Sequence, residues 1–198
     1  MPIIATAGGS GEDFTPAPAG TYRAVCVDVI DKGIVEVTYA GKTKRQHKIS
    51  LAWLIDERRD DGKPYLVFKR YTLSLNEKAT LRGDLESWRG KTFTRDEEMG
   101  FDVEAVLGAN CLLNVQHHTK GDKTYANVVS VMPLMKGMAP MDGPFAYVRQ
   151  VNRTPEDAAV AVHQNDVDEP PLLTDDDCPF AWLMPLVLPA LGLIGMLA

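Results

Sequence analysis

A change of hydrophobic period constrains this chain more than any other feature. From Thr21 to Leu73 the sequence is rich in β-branched and aromatic residues that alternate with polar ones. Between Glu77 and Arg89 the apolar residues fall at Leu81, Leu85 and Trp88, four and three apart. After Cys111 the alternation returns. Alternation marks a strand with one buried face, and the wider spacing marks one apolar stripe on a helix. A helix set between two groups of strands predicts a mainly β, α+β fold.

The strands can be placed by their turn signals. Thr21 to Ile30 reads as a long strand, Asp31-Lys32-Gly33 as a turn, and Ile34 to Tyr39 as a second strand closing a hairpin. After a turn at Gly41-Lys42, Gln46 to Ile55 is a further strand. Ile49, Leu51 and Trp53 lie on one of its faces, Lys48 and Ser50 on the other. Asp56 to Pro64 is a charged loop and Leu66 to Leu73 another strand. Asn76 can cap the helix that follows and Gly90 can end it. A shorter helix is expected over Phe101 to Leu107. Cys111 to His118 and Thr124 to Met132 are two strands joined by the basic loop Thr119 to Lys123. This order matches an OB-fold-like five-stranded barrel with a helix between strands 3 and 4. In that reading the early hairpin is either one long bent strand or a decoration.

Five segments result. Residues 1–19, rich in Gly, Pro and Ala, form a flexible arm. Residues 20–136 are the barrel and 137–174 a mostly disordered linker, in which Thr154-Pro155 resembles a helix start and Ala158 to His163 a short helix. Residues 175–180 are an acidic motif and 181–198 an apolar extension. Charge follows the same division. Residues 20–136 carry 19 Lys and Arg against 16 Asp and Glu, whereas residues 137–198 carry 2 against 9. A mildly basic body with an acidic tail suits a nucleic-acid protein.

Catalytic signatures are missing. The chain has no P-loop, GxGxxG, HExxH or GxSxG motif, and no paired Cys/His spacing. His117 and His118 are adjacent on a strand, so they face opposite sides and cannot share one metal. Asp60-Asp61 and Glu97-Glu98 lie in polar loops. No enzyme activity, metal or cofactor is therefore expected. Cys26 and Cys111 sit in apolar runs and read as buried hydrophobes in a reducing cytoplasm, and no secretory signal is expected at the N-terminus.

Single-stranded nucleic acid is held by cations that track phosphates and aromatics that stack bases. Both residue types interleave here. Lys42, Lys44, Arg45 and Lys48 surround the second turn. Lys69, Arg70 and Tyr71 follow on the next strand. His118, Lys120, Lys123 and Tyr125 decorate the terminal hairpin. Trp53 and Trp88 read as core.

The segment Thr174-Asp175-Asp176-Asp177-Cys178-Pro179-Phe180 resembles the acidic tip of bacterial single-stranded DNA-binding proteins, Asp-Asp-Asp-Ile-Pro-Phe, with Cys178 in place of Ile. That resemblance implies a docking peptide for replication and recombination proteins, with Phe180 and Pro179 as anchor and Asp175, Asp176 and Asp177 as steering charge. The runs GKPYLVFKRYT (62–72), EKATLRGDLESWRGKTF (77–93) and KTYANVVSVM (123–132) are similar to phage-encoded replication proteins regarded as binding single-stranded DNA. The family's Phe is the last residue, but here Ala181 to Ala198 follows. These 18 uncharged residues would reach roughly 27 Å as a helix, near the lower limit for a bilayer, although Pro185 and Pro189 weaken such a helix. A membrane tail, packing on the body or on another subunit, and an extension masking the tip all remain open. The expected function is sequence-independent binding and protection of single-stranded DNA in phage or prophage replication and recombination, in the bacterial cytoplasm. The alternative is an interaction protein that binds no DNA and is attached to the membrane by 181–198. Self-association fits either reading.

Overall fold

A computed structural model describes residues 15–39, 42–142 and 147–153, with the side chains of Tyr39 and Lys42 excepted. Most of the arm, the acidic motif Asp175 to Phe180, the apolar extension and the short helix expected at 158–163 lie outside the described residues.

Five strands form one antiparallel sheet: β1 Gly20–Tyr39, β2 Lys42–Arg58, β3 Pro64–Thr72, β4 Asn110–Lys120 and β5 Lys123–Met132. Their spatial order is β3-β2-β1-β4-β5. The sheet is open by backbone pairing, but its two edges approach each other. Lys69 on β3 donates to the Val129 carbonyl of β5 at 3.1 Å. This order is compatible with an OB-like fold.

The two strands expected over 21–30 and 34–39 are one strand. Both halves of β1 pair with β2, and the register slips between Asp31 and Gly33. Gly33 takes φ 71, and its N–H is capped by the Asp31 carboxylate at 2.7 Å. The Asp-Lys-Gly sequence thus builds a β-bulge rather than a reversal.

Between β3 and β4 lies helix α1, Thr80–Arg89, which buries Leu81, Leu85 and Trp88 as their spacing requires. Gly90 ends it in the left-handed conformation, φ 64. Asn76 does not cap it. The N-cap position is Ala79, whose N–H reaches the Asn76 carbonyl at 2.8 Å. The short helix expected over 101–107 is a single 3₁₀ turn, and a short α-helix precedes it. Helix α2, Arg95–Met99, is closed by a capping box between Thr94 and Glu97. A 3₁₀ turn follows at Val103–Val106.

The core lies between α1 and the inner face of the sheet. Trp53 is fully buried, with Trp88 6.1 Å away between ring centroids, and Ala24, Cys26, Leu51, Leu113, Val115 and Val131 surround them. Cys26 and Cys111 are buried free thiols. Burial pushes the Cys26 thiol up to about 12, and the Cys111 thiol is raised for the same reason.

The chain continues past Lys136 as a strap across the other side of the sheet. Arg23 donates to the Ala139 carbonyl, and Asn110 exchanges two hydrogen bonds with the Met141 backbone. Asp28, 1% exposed, then accepts from Tyr147 Oη (3.0 Å), Arg149 Nε (3.3 Å) and Gln150 N (2.7 Å). Arg149 also pairs with Glu104 at 2.6 Å. Among the described residues, no helix is long and apolar enough to cross a membrane.

Candidate nucleic-acid interface

Two ribbons extend beyond the sheet body. β4 pairs with β1 only along Gly20–Val25, and β3 meets β2 only from Lys48 onward. Residues 33–39 and 42–47 therefore pair with each other alone in the sheet. At the other end of β1, residues 116–120 of β4 and 123–127 of β5 form the second ribbon. Each ribbon holds one of the basic clusters seen in the sequence.

Strand alternation sorts the candidates by face. On β2 the core takes Ile49, Leu51, Trp53 and Ile55. Lys44, Gln46, Lys48 and Ser50 share the opposite, outward parity. Lys44 and Arg45 are exposed, and Arg45 stands opposite Glu36 on β1. Lys42 opens the strand, with its side chain outside the described part. Lys48 is only 7% exposed, and its ammonium donates to Thr72 Oγ1 at 2.6 Å. Thr72 in turn donates to Gln46 at 3.4 Å. Arg70 is outward on β3, in register with Ser50, two pairs along from Lys48–Thr72 and next to it on the same face. Burial holds the Lys48 ammonium below its ordinary value, and the like charge of Arg70 lowers it further. Burial also lowers Arg70. Two cations are thus held close together on one partly desolvated face.

Lys69 and Tyr71 occupy different ground. They share the inward parity of Tyr65 and Val67. Lys69 Nζ pairs with Asp84 of α1 at 2.7 Å, and Tyr71, 2% exposed, donates to the same carboxylate at 2.8 Å. Burial first, then Asp84, raises the Tyr71 phenol well above its usual value. Together these groups tie β3 to the helix and to β5. A base cannot stack on Tyr71 without opening the core.

On the second ribbon, Lys120 faces Lys123 and His118 faces Tyr125 in register. Both lysines are exposed, whereas His118 and Tyr125 are half-buried. His117 takes the other side and bonds the Ala17 carbonyl at 2.8 Å. Asn127, on the same parity as Tyr125, is 4% exposed, and neither its amide oxygen nor its nitrogen has a hydrogen-bond partner. Sequence reading placed Ser50 on the face of Lys48 but missed Gln46, Thr72 and Asn127 here. Continuing the period-2 alternation outward from Lys48 and Tyr125 finds all but Thr72, which follows from Arg70 in the same way.

Among the described residues, no group of three or more His, Cys, Asp or Glu side chains could hold a metal ion. In comparisons with known proteins, no family model matches the chain and no curated protein matches it.

Proposed function

We propose that the chain binds single-stranded DNA without strong sequence choice, on the outward face of β2 and β3 and along the two basic ribbons. In this reading the curled sheet is an OB-like barrel, whose strand 2–3 face and two hairpin loops form the cleft. One observation carries the reading. Lys48 and Arg70 stand at neighbouring positions of the same face, Lys48 in register with Thr72 and Arg70 with Ser50. A phosphate laid across the two positions would accept charge-assisted hydrogen bonds from both. Lys44 extends the same side of β2 towards the hairpin tip.

The role in phage or prophage replication and recombination, and partner docking through Asp175 to Phe180, belong to the same proposal and rest on the sequence resemblance. Fluorescence titration of the full chain with oligo-dT at 50 and 200 mM salt is the direct test. Binding should weaken steeply with salt, since each neutralised phosphate of a single strand contributes about −0.7 to the log–log slope. Lys44→Ala with Arg70→Gln should lower both affinity and slope. No binding at low salt, or a flat salt response, would overturn the proposal.

A further inference from the structure

The outward face of β1, β2 and β3 carries a second apolar cluster, separate from the core under α1. Ile30, Ala52 and Phe68 form it, at 5%, 0% and 9% exposure. Val25 and Leu54, paired on the same outward parity, are buried as well. Among the described apolar side chains, only Val27 and Leu66 pack against the cluster, and both belong to the sheet itself. A sheet buries a face by packing another layer on it. Here the burial is reached within one chain, while Val148 and Val151 of the strap are 50% and 74% exposed.

The strap ends beside this cluster. Its anchor, Asp28, is in register with Ala52 on β2, and Ala52 with Phe68 on β3. Adjacent strands lie about 4.8 Å apart, so the row spans about 10 Å. Arg153, the last described residue, reaches the same anchor through the Tyr147 hydroxyl. Residue 154 therefore starts at the β1 end of the row. Thr154 to His163 would cover about 15 Å as a helix, and Ala158 to Val162 are all small and apolar. Glu156 and Asp157 precede them, and Lys48 and Arg70 stand on adjoining positions of the face. The N-terminal arm is delivered elsewhere, because Ala17 packs into the core under α1 and its carbonyl bonds His117.

We propose that residues 154–163 dock in the same chain across β1, β2 and β3, over Ile30, Ala52, Leu54 and Phe68. Apolar burial holds the segment, and charge complementarity turns Glu156 and Asp157 towards Lys48 and Arg70. The segment then shares its ground with the face assigned to single-stranded DNA, where Lys48 is 7% and Ser50 1% exposed. Strand and segment exclude each other. That consequence rests on the single-stranded DNA reading, whereas the docking does not.

The test uses the full chain. A photoreactive phenylalanine analogue in place of Leu66, half-buried on β3 beside the cluster, should cross-link to 154–163 within one chain. Cross-links to 181–198, to the N-terminal arm or to a second copy, or none at all, would overturn the docking. Hydrogen exchange reads it independently. The amides of Ala159 to Val162 should exchange at least about tenfold more slowly than in the unfolded chain. Val160→Ser with Val162→Ser should abolish that protection and leave α1 protected. Unprotected amides in the wild type would refute the docking equally. The same double variant should bind oligo-dT about fivefold more tightly, because its binding-competent state is more populated. Wild-type affinity in the variant would overturn the exclusion. If neither protein binds oligo-dT, the single-stranded DNA reading fails, and the docking is decided by cross-linking and exchange.

Discussion

The three hydrogen bonds on Asp28 make the strap a separable part of the molecule. Replacing Asp28 with Asn keeps the shape but removes the charge. The amide oxygen can still accept from both Tyr147 and Gln150, which share one carboxylate oxygen of Asp28, but the amide turns a donor towards Arg149, so the ion pair and its hydrogen bond are lost. Hydrogen bonds to a charged group contribute about 1.5–3 kcal/mol each, and breaking a buried pair costs about 3–5 kcal/mol. Detachment of the strap should therefore become easier by about 3 kcal/mol. The sheet itself keeps its pairing and its core, because Asp28 lies on the side away from Trp53 and Leu113. Hydrogen exchange at the Gln150 amide, which donates to Asp28, should accelerate by about a hundredfold. The urea midpoint of the whole chain should fall by much less. By contrast, Glu104→Gln removes the half-exposed partner of Arg149 and should cost under about 1 kcal/mol. If Asp28→Asn leaves exchange at Gln150 unchanged while the global midpoint drops by the full amount, Asp28 stabilises the sheet and not the strap, and the reasoning fails.

Other consequences follow from the same geometry. Lys48→Met removes a desolvated ammonium beside Arg70 at the loss of one hydrogen bond to Thr72. The melting temperature should hold or rise while oligo-dT affinity falls about threefold, as read by calorimetry and titration. Gly33→Ala keeps open space around the new Cβ but forces φ 71 on an L residue, so urea unfolding should show a loss of about 1–2 kcal/mol from backbone strain alone. The thiols and phenols define an alkaline limit. Cys26 is raised from 9.0 to about 12, and Cys111, Tyr71 and Tyr147 are also raised. The unfolded chain therefore releases protons from about pH 9 upward that the native state retains, and stability present below pH 9 is lost as pH rises. Melting temperatures measured between pH 7 and 11 should fall above 9, and Cys26→Ala should flatten the first part of that fall.

How much of this was legible in the sequence differs from element to element. The period change at Glu77 placed α1, its buried stripe and its Gly90 stop, because local spacing alone decides which residues share a face. The bulge at Asp31-Lys32-Gly33 was not decidable locally. The same three residues suit a reversal or a bulge, and the choice depends on the fact that both halves of β1 find β2 as partner. Lys69 shows a subtler failure. Alternation with Tyr65, Val67 and Tyr71 already assigned it inward, but its charge argued for the surface. What makes the inward position tolerable is Asp84, fifteen residues on and brought back by α1. The candidate site was legible as clusters of charge. It was not legible as a face, because Lys69 and Arg70 adjoin in sequence yet belong to opposite sides.

The strap was the least apparent element, and yet its key was present. Residues 137–144 have the Gly and Pro content of a linker, and composition alone gives them no reason to fold. Asp28, however, is an acid within the otherwise apolar stretch AVCVDVI, and a carboxylate turned into a buried surface requires partners. Arg149 and Arg153 are the only Lys or Arg residues after Lys136. A buried anion without a local partner and two cations isolated in an acidic tail are complementary deficits. Arg149 meets Asp28 directly, and Arg153 donates to the Tyr147 hydroxyl that itself donates to Asp28. Unpaired charges in an unfavourable context therefore carry long-range information that hydrophobic periodicity lacks.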